Sequence, residues 1–460
     1  MKPFCSISIP RMVRKLLVVL MLPVCLLSCK KYLEEKPDKS LVLITSLDDI
    51  QKLLDRFDVM TSGGTSGLIE LVADDYYLTD QIIGRLPQNE RSNYLWDPTA
   101  QYANGWIGSY SSPVYYSNVI LNQMPKITIN ANEHERYDHL KGAALFFRAW
   151  AFFHVAQLYC QPYDASVLQS PGIVLRLTDA ILDKSERATI AQTYDQIMKD
   201  FAEAAKLLPE NSDYQTRPTK AAAFGAMARA SLAMRKYEDA GRFADSCLKR
   251  NANLIDYNSL DTTAAVPIER FNKETVFYSI LSLQVAIIKD YARIDTNLAG
   301  SYAADDLRRG VYLNKRTDNS WEYNGSYEGS SFRLLFNGIA TDEMYLIKAE
   351  AAARAGNTQK SMDVLNALLS YRWVTGTWQN RTAGSPSEAV DMILEERRKE
   401  LLFRGLRWTD LRRLNLEGRN FELKRNYNGQ EYLLKAGDQR WVMLVPDVVI
   451  KLSGIPQNPR

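Results

Sequence analysis

The chain has 460 residues, a formal net charge of +3, and 46% hydrophobic and 24% charged residues. This is globular composition, which excludes wholesale disorder, collagen-like repeats and a continuous coiled coil, and the length is ample for a large core. Only three histidines accompany 25 tyrosines, 15 phenylalanines and 8 tryptophans, so a histidine-based catalytic or metal centre has little to draw on.

Residues 1–28 read as a secretory signal. Arg11, Arg14 and Lys15 precede the apolar run Leu16 to Leu27. That run is too short for ~30 Å of hydrocarbon, which needs roughly 20 residues. It ends in Leu26-Leu27-Ser28-Cys29, which resembles the lipobox of bacterial lipoproteins. By that resemblance Cys29 is acylated and becomes the mature N-terminus. One acyl chain holds a membrane only marginally, whereas several hold firmly. Cleavage removes Lys2, Arg11, Arg14 and Lys15 and no acid, leaving 53 basic against 54 acidic residues, a net of −1. No net-charge argument for nucleic acid survives. Cys160 and Cys247 are then the only unmodified cysteines, too few for a disulfide scaffold, and read as buried thiols.

Residues 29–40 are charged, contain Pro37, and read as a lipidated tether before a body spanning 41–460. Leu47 to Met60 has apolar residues at helical spacing, with Ser46 as its N-cap. Three later blocks each predict a helix pair. Leu140 to Tyr159, apolar nearly all round, precedes Thr193 to Leu208. Thr219 to Met234 turns through Arg235-Lys236 into Tyr237 to Leu248. Asp342 to Ala355 turns at Gly356-Asn357 into Thr358 to Leu369. The second and third blocks superpose with Ala228 on Ala349, Ala230 on Ala351, Ala240 on Ser361 and Ala244 on Leu365. Small residues at matched positions let antiparallel helices approach closely, as in tetratricopeptide repeats, whose pairs must stack to build a core. A plain Ala-rich bundle is the alternative. Stretches 61–135, 250–340 and 372–386 read as irregular, with short strands near Val276 to Leu283 and Glu431 to Leu434. The fold class expected is mainly α, with tetratricopeptide-like pairs, long loops and few strands.

Several patterns together resemble the SusD/RagB family of nutrient-uptake outer-membrane lipoproteins of Bacteroidetes. They are Cys29-Lys30-Lys31-Tyr32-Leu33-Glu34 with Pro37, Asp74-Asp75-Tyr76-Tyr77, Tyr94-Leu95-Trp96 and Gly142 to Ala149 with its Arg148-Ala149 pair. The most specific is Glu396 to Arg413, which is similar to the family's ERR-x-EL-x-F-x-G-x-R-x-x-DL-x-R pattern. Arg404 stands where an acid is common, and Val445-Pro446-Asp447 is a shortened ending. The motif reads physically as structural, with Glu395→Lys399 and Glu400→Arg404 as i,i+4 pairs and Gly405 as a left-handed helix stop.

The resemblance divides the body into an N-terminal SusD-like part, about 41–250, and a C-terminal SusD/RagB part, about 251–460. It implies a surface-exposed, lipid-anchored protein of the outer membrane that binds an oligosaccharide, or a peptide, and hands it to a SusC-like TonB-dependent transporter. It implies no enzyme activity, no cofactor and no nucleic-acid partner. The loops fit a glycan surface on their own account, since sugar rings present flat C–H faces to aromatic planes. Aromatic sets occur at 94–116, at Tyr302, Trp321, Tyr323 and Tyr327, and at Tyr371, Trp373 and Trp378. Trp96 and Trp321 stand out as large, polar-flanked and outside the predicted helices; Asn93, Tyr302, Tyr323 and Tyr327 complete the candidate set. The same aromatics could instead pin loops onto the helices. A glycosidase would need two carboxylates across a scissile bond, for which Asp74-Asp75 and Asp305-Asp306 are available. A helical scaffold without a glycan ligand is the third reading. Acidic loops leave structural calcium open, though no metal site is assigned.

Overall fold

The computed structural model describes residues 44–460, apart from Gly63 and residues 331–333. The signal segment, Cys29 and the whole of the tether lie outside the described residues. The principal helices of the unit Ser46–Arg460 are α1 (Leu47–Leu54), α2 (His134–Tyr159), α3 (Ile190–Leu207), α4 (Lys220–Ala233), α5 (Tyr237–Leu248), α6 (Thr341–Arg354), α7 (Thr358–Leu369), α8 (Pro386–Glu400) and α9 (Arg407–Asn415).

Their starts follow local chemistry. Ser46 and Thr189 each form a capping box, with Asp49 and Gln192, and Thr219 and Ser385 accept from the amides of Ala222 and Glu388. α2 is buried continuously from Gly142 to Tyr159, as its all-round apolar sequence requires. Helices pack serially: α2 on α3, α3 on α4, α4 on α5, α5 on α6, then α6 on both α7 and α8. Serial stacking of helix pairs is the tetratricopeptide-like arrangement, and it bridges the long insertion between α5 and α6. The small residues are the cause of that closeness. Ala228, Ala230, Ala240, Ala244, Ala349 and Ser361 are all fully buried, and a Cβ on Gly241 would sit 2.6 Å from the Ala351 methyl.

Three expectations require correction. The helix predicted over Leu47 to Met60 stops at Leu54; Asp55 turns out to accept from Arg217 at 2.7 and 2.8 Å, and a π-turn follows at Asp58–Ser62. The stretch 61–135 is largely short helices, among them Gln88–Tyr94, Ala103–Ser109 and Tyr115–Gln123. The strand at 276–283 shrinks to Thr275–Phe277, paired with Ile339–Ala340. Other strands form antiparallel pairs, including the hairpins Leu313–Lys315 with Trp321–Tyr323 and Leu423–Tyr427 with Gln430–Leu434. No helix among the described residues is long and apolar enough to cross a membrane.

Candidate functional site

Five of the six sequence-derived ligand candidates lie inside the body, held there by hydrogen bonds or ring contacts to the protein. Trp96 is 3% exposed, adopts a left-handed φ of 50°, donates from Nε1 to Val72 O at 3.1 Å, and carries the Arg425 guanidinium 4.3 Å from its ring. Asn93 donates to Asn89 O and Gln101 O, which pins the loop after its own helix. Tyr302 donates to Lys399 O at 2.9 Å, Tyr323 stacks on Phe403 with ring centroids 5.1 Å apart, and Tyr327 hydrogen-bonds Glu274 beneath Arg404. Burial pushes the hydroxyls of all three tyrosines above their ordinary range. Such rings are packing elements; a sugar cannot reach them without the loops opening. Trp106 and Tyr102 of the first set are buried likewise.

Trp321 differs. It is half-buried at the start of its hairpin strand, and the exposed Arg309 lies over its ring at 5.6 Å. The third aromatic set also reaches the surface. Tyr371 is 43% exposed, and Trp373 and Trp378 are half-buried with ring centroids 5.1 Å apart, tilted by 57°. Three backbone segments hold this edge. Val374 N donates to Asp305 O at 3.0 Å and Leu307 N to Arg372 O at 2.8 Å, while Asn258 bridges Trp373 O and Thr375 N. Residues 305–309 therefore join the Trp373–Trp378 edge to Trp321 through Arg309. Trp378 donates to Asn380 Oδ1, and Arg381, anchored on Glu396 at 2.8 Å, sits 5.5 Å from the Trp378 ring. The edge thus offers apolar ring faces with amides and guanidinium N–H groups beside them. Asn258 and Arg309 were not legible as its members, because their sequence neighbours are not their spatial neighbours, whereas Asn380 is bonded to Trp378 two positions before it.

Beneath the edge lies an ion-pair network built from the C-terminal motif. Arg308 reaches Asp306 at 2.7 Å, Glu396 at 2.6 Å and Glu400 at 3.0 Å; Arg372 reaches Glu400 at 2.7 Å and Glu274 at 2.8 Å. All six side chains are 1% exposed or less. The predicted pair Glu395–Lys399 forms at 2.7 Å, but Glu400–Arg404 does not. The helix ends at Glu400, so Arg404 swings to Asp342 at 2.7 Å. Gly405 has the expected left-handed φ of +69°.

Of the four carboxylates raised for hydrolytic chemistry, Asp74, Asp75 and Asp306 are committed to arginines, while Asp305 is exposed. Asp306 belongs to the buried network. Arg407 holds Asp74 at 2.7 Å and Arg398 holds Asp75 at 2.9 Å. A cavity of about 410 Å³ touches Asp75, Asp391, Glu395 and Asp410, each of which is paired with Arg398, Arg419, Lys399 or Arg397. Burial raises Glu70 and Glu274, the latter to about 6, yet both are 1% exposed or less. A general acid needs a raised pKa and access to substrate together. Among the described residues no group of His, Cys, Asp and Glu could hold a metal ion.

The family model of the SusD family matches residues 298–447. A SusD-like model described as starch-binding, associating with the outer membrane, matches residues 31–232. No curated protein matches the chain. Among solved structures, a SusD superfamily protein of Bacteroides vulgatus aligns with a TM-score of 0.74 at 20% identity, covering 90% of this chain and 99% of that one. A SusD superfamily protein of Bacteroides thetaiotaomicron aligns at 0.71 and 19%, covering 90% and 100%. A laminarin-binding SusD-like protein aligns at 0.66 and 16%, covering 90% and 99%. At these identities the structures share the fold. With the two family models together spanning most of its length, the chain belongs to the SusD family.

Proposed function

We propose that this chain is a non-catalytic, surface-exposed lipoprotein, anchored to the outer membrane through acylated Cys29, that binds an oligosaccharide and delivers it to a SusC-like TonB-dependent transporter. The observation that carries the glycan reading is the exposed edge of Tyr371, Trp373 and Trp378, joined to Trp321 through Arg309. Its ring faces suit the C–H faces of sugars, and the Asn380 amide and the Arg309 guanidinium suit their hydroxyls. The engagement of Asp74, Asp75 and Asp306 by arginines favours binding over cleavage. Family membership and the laminarin-binding neighbour supply the ligand class, and the transporter partnership is the reading that a lipid-anchored binder of this family suits.

The test is titration with a panel of oligosaccharides that includes laminarin and starch fragments, followed for both binding and new reducing ends. Saturable binding without turnover is expected. Trp378→Ala and Trp321→Ala are each expected to weaken it by about 0.5–1.5 kcal/mol, roughly 2- to 10-fold. New reducing ends would replace the binding reading with an enzymatic one. Wild-type affinity in both variants would remove this edge from the site.

A further inference from the structure

The Trp321 end of the aromatic edge carries two exposed cations, Arg309 and Lys315. In the hairpin of Leu313–Lys315 with Trp321–Tyr323, Lys315 is the direct cross-strand partner of Trp321. Opposed residues of an antiparallel pair leave the same face with Cβ atoms roughly 5 Å apart, so the ammonium rises beside the indole. Arg309 comes from the adjoining helical turn Arg308–Tyr312 and sets its guanidinium 5.6 Å from the same ring. Among the described residues no carboxylate lies within ion-pair distance of either cation. The cations around them are all engaged: Arg308 on Asp306, Glu396 and Glu400, Arg316 and Lys289 on Glu322, and Arg293 on Asp318.

The nearby acids are turned to other work. Glu322 follows Trp321 in the strand, so it leaves the opposite face, where Arg316 takes it at 2.7 Å. Asp318 closes the hairpin turn by accepting from Ser320 N at 3.0 Å. Asp261, next to the Thr262 that packs on Gly310, accepts from the amide and hydroxyl of Thr263 at 2.8 and 2.7 Å. Asp305 is exposed, but its carbonyl takes Val374 N, which puts it with Trp373 at the other end of the edge. The edge is therefore polarised, with its unspent positive charge gathered at one ring.

We propose that the glycan taken by this edge is acidic, with a sugar carboxylate or sulfate held between Arg309 and Lys315 beside Trp321 and the neighbouring sugar rings against Trp373 and Trp378. The inference rests on the glycan reading of the edge and adds the charge of the cargo. A guanidinium with its N–H groups free presents a fork that matches two oxygens of a carboxylate or sulfate, and an ammonium beside it adds a compact second charge. A hydroxyl would use one donor and leave both charges uncompensated.

The probes are tetragalacturonate, tetramannuronate and a sulfated galactan tetrasaccharide, each beside its neutral counterpart (the methyl esters and the desulfated galactan), with laminarin fragments alongside. They are titrated into the purified protein by calorimetry. At least one acidic probe is expected to bind saturably and about 5-fold or more tighter than its counterpart, the order that two exposed ion pairs supply. Which group gives the larger preference separates carboxylate from sulfate. Lys315→Gln is expected to narrow that ratio, and Arg309→Gln combined with it to bring the two members of the pair level, with the melting temperature near wild type because both side chains are exposed. Neutral probes that bind as tightly as the acidic ones would overturn the acidic assignment and leave the glycan reading standing. A preference undiminished in the folded double variant would overturn its placement on these two cations. Binding of no probe, neutral or acidic, would remove the glycan reading itself and this inference with it.

Discussion

Arg308→Met is the sharpest perturbation of the network under the aromatic edge. Arg308 is fully buried and its three nitrogens reach three carboxylates, those of Asp306, Glu396 and Glu400. Glu396 retains Lys399 and Arg381, and Glu400 retains Arg372. Asp306 has no second cation among the described residues. The substitution therefore leaves one buried carboxylate uncompensated, at a cost of about 3–5 kcal/mol. The unit Ser46–Arg460 has an unfolding entropy of roughly 0.9 kcal/mol per degree at about 2.1 cal/mol/K per residue, so its melting temperature is expected to fall by roughly 3–6 °C. Arg308→Lys keeps the charge but not the fork that serves three partners, and is expected to fall between the two. Differential scanning calorimetry near neutral pH reads the outcome. A shift below about 1 °C for Arg308→Met would mean that water, not Arg308, compensates these carboxylates, and the energetic account of the motif would fail.

Trp96→Ala is expected to act on stability, not on ligand. It removes a buried indole and its hydrogen bond to Val72, costing about 3–5 kcal/mol and a similar drop in melting temperature, while affinity for a bound oligosaccharide stays at the wild-type value; a selective loss of affinity would return Trp96 to the site. Acid should destabilise the fold. Burial alone would raise Glu396, but Arg308, Lys399 and Arg381 hold it at about 2, and Arg407 and Arg398 likewise hold half-buried Asp74 at about 2. Both folded values lie below the unfolded ones, so this stability is complete above about pH 4.5 and is lost as pH falls through about 2, with Glu396 alone worth on the order of 3 kcal/mol. Glu274 runs the other way, because burial lifts it to about 6 and its contribution declines as pH rises from about 4.5 through 6; melting temperatures that do not fall between pH 4.5 and 2.5 would contradict the assignment. Cys29→Ala should abolish incorporation of labelled lipid and release the protein from membranes, and label retained by the variant would place the anchor elsewhere.

Much of the scaffold was legible from one sequence. Tyr237–Leu248 and Thr358–Leu369 form with the predicted bounds, because apolar spacing, matched small residues and, in the second pair, a turn glycine at Gly356 are local signals, whereas the left-handed turn residue of the first pair, Arg235, carries none. The motif from Glu396 to Arg413 could be recognised as a motif, but its pairing could not. Glu400 and Arg404 stand at helical spacing, yet the helix ends between them, and their partners, Arg308, Arg372 and Asp342, are 28 to 92 positions away.

The candidate site divides in the same way. Sequence by itself determined that aromatic-rich loops leave a helical platform, that the first 28 residues carry the basic excess, and that a lipobox-like cysteine follows. Tertiary structure alone decided which rings face water. Trp96 and Trp378 have similar polar neighbours along the chain, but the first is roofed by Arg425 from a strand 329 positions on, while the second is left at an edge. A ring's exposure depends on what distant segments lay over it, and one-dimensional spacing does not contain that quantity.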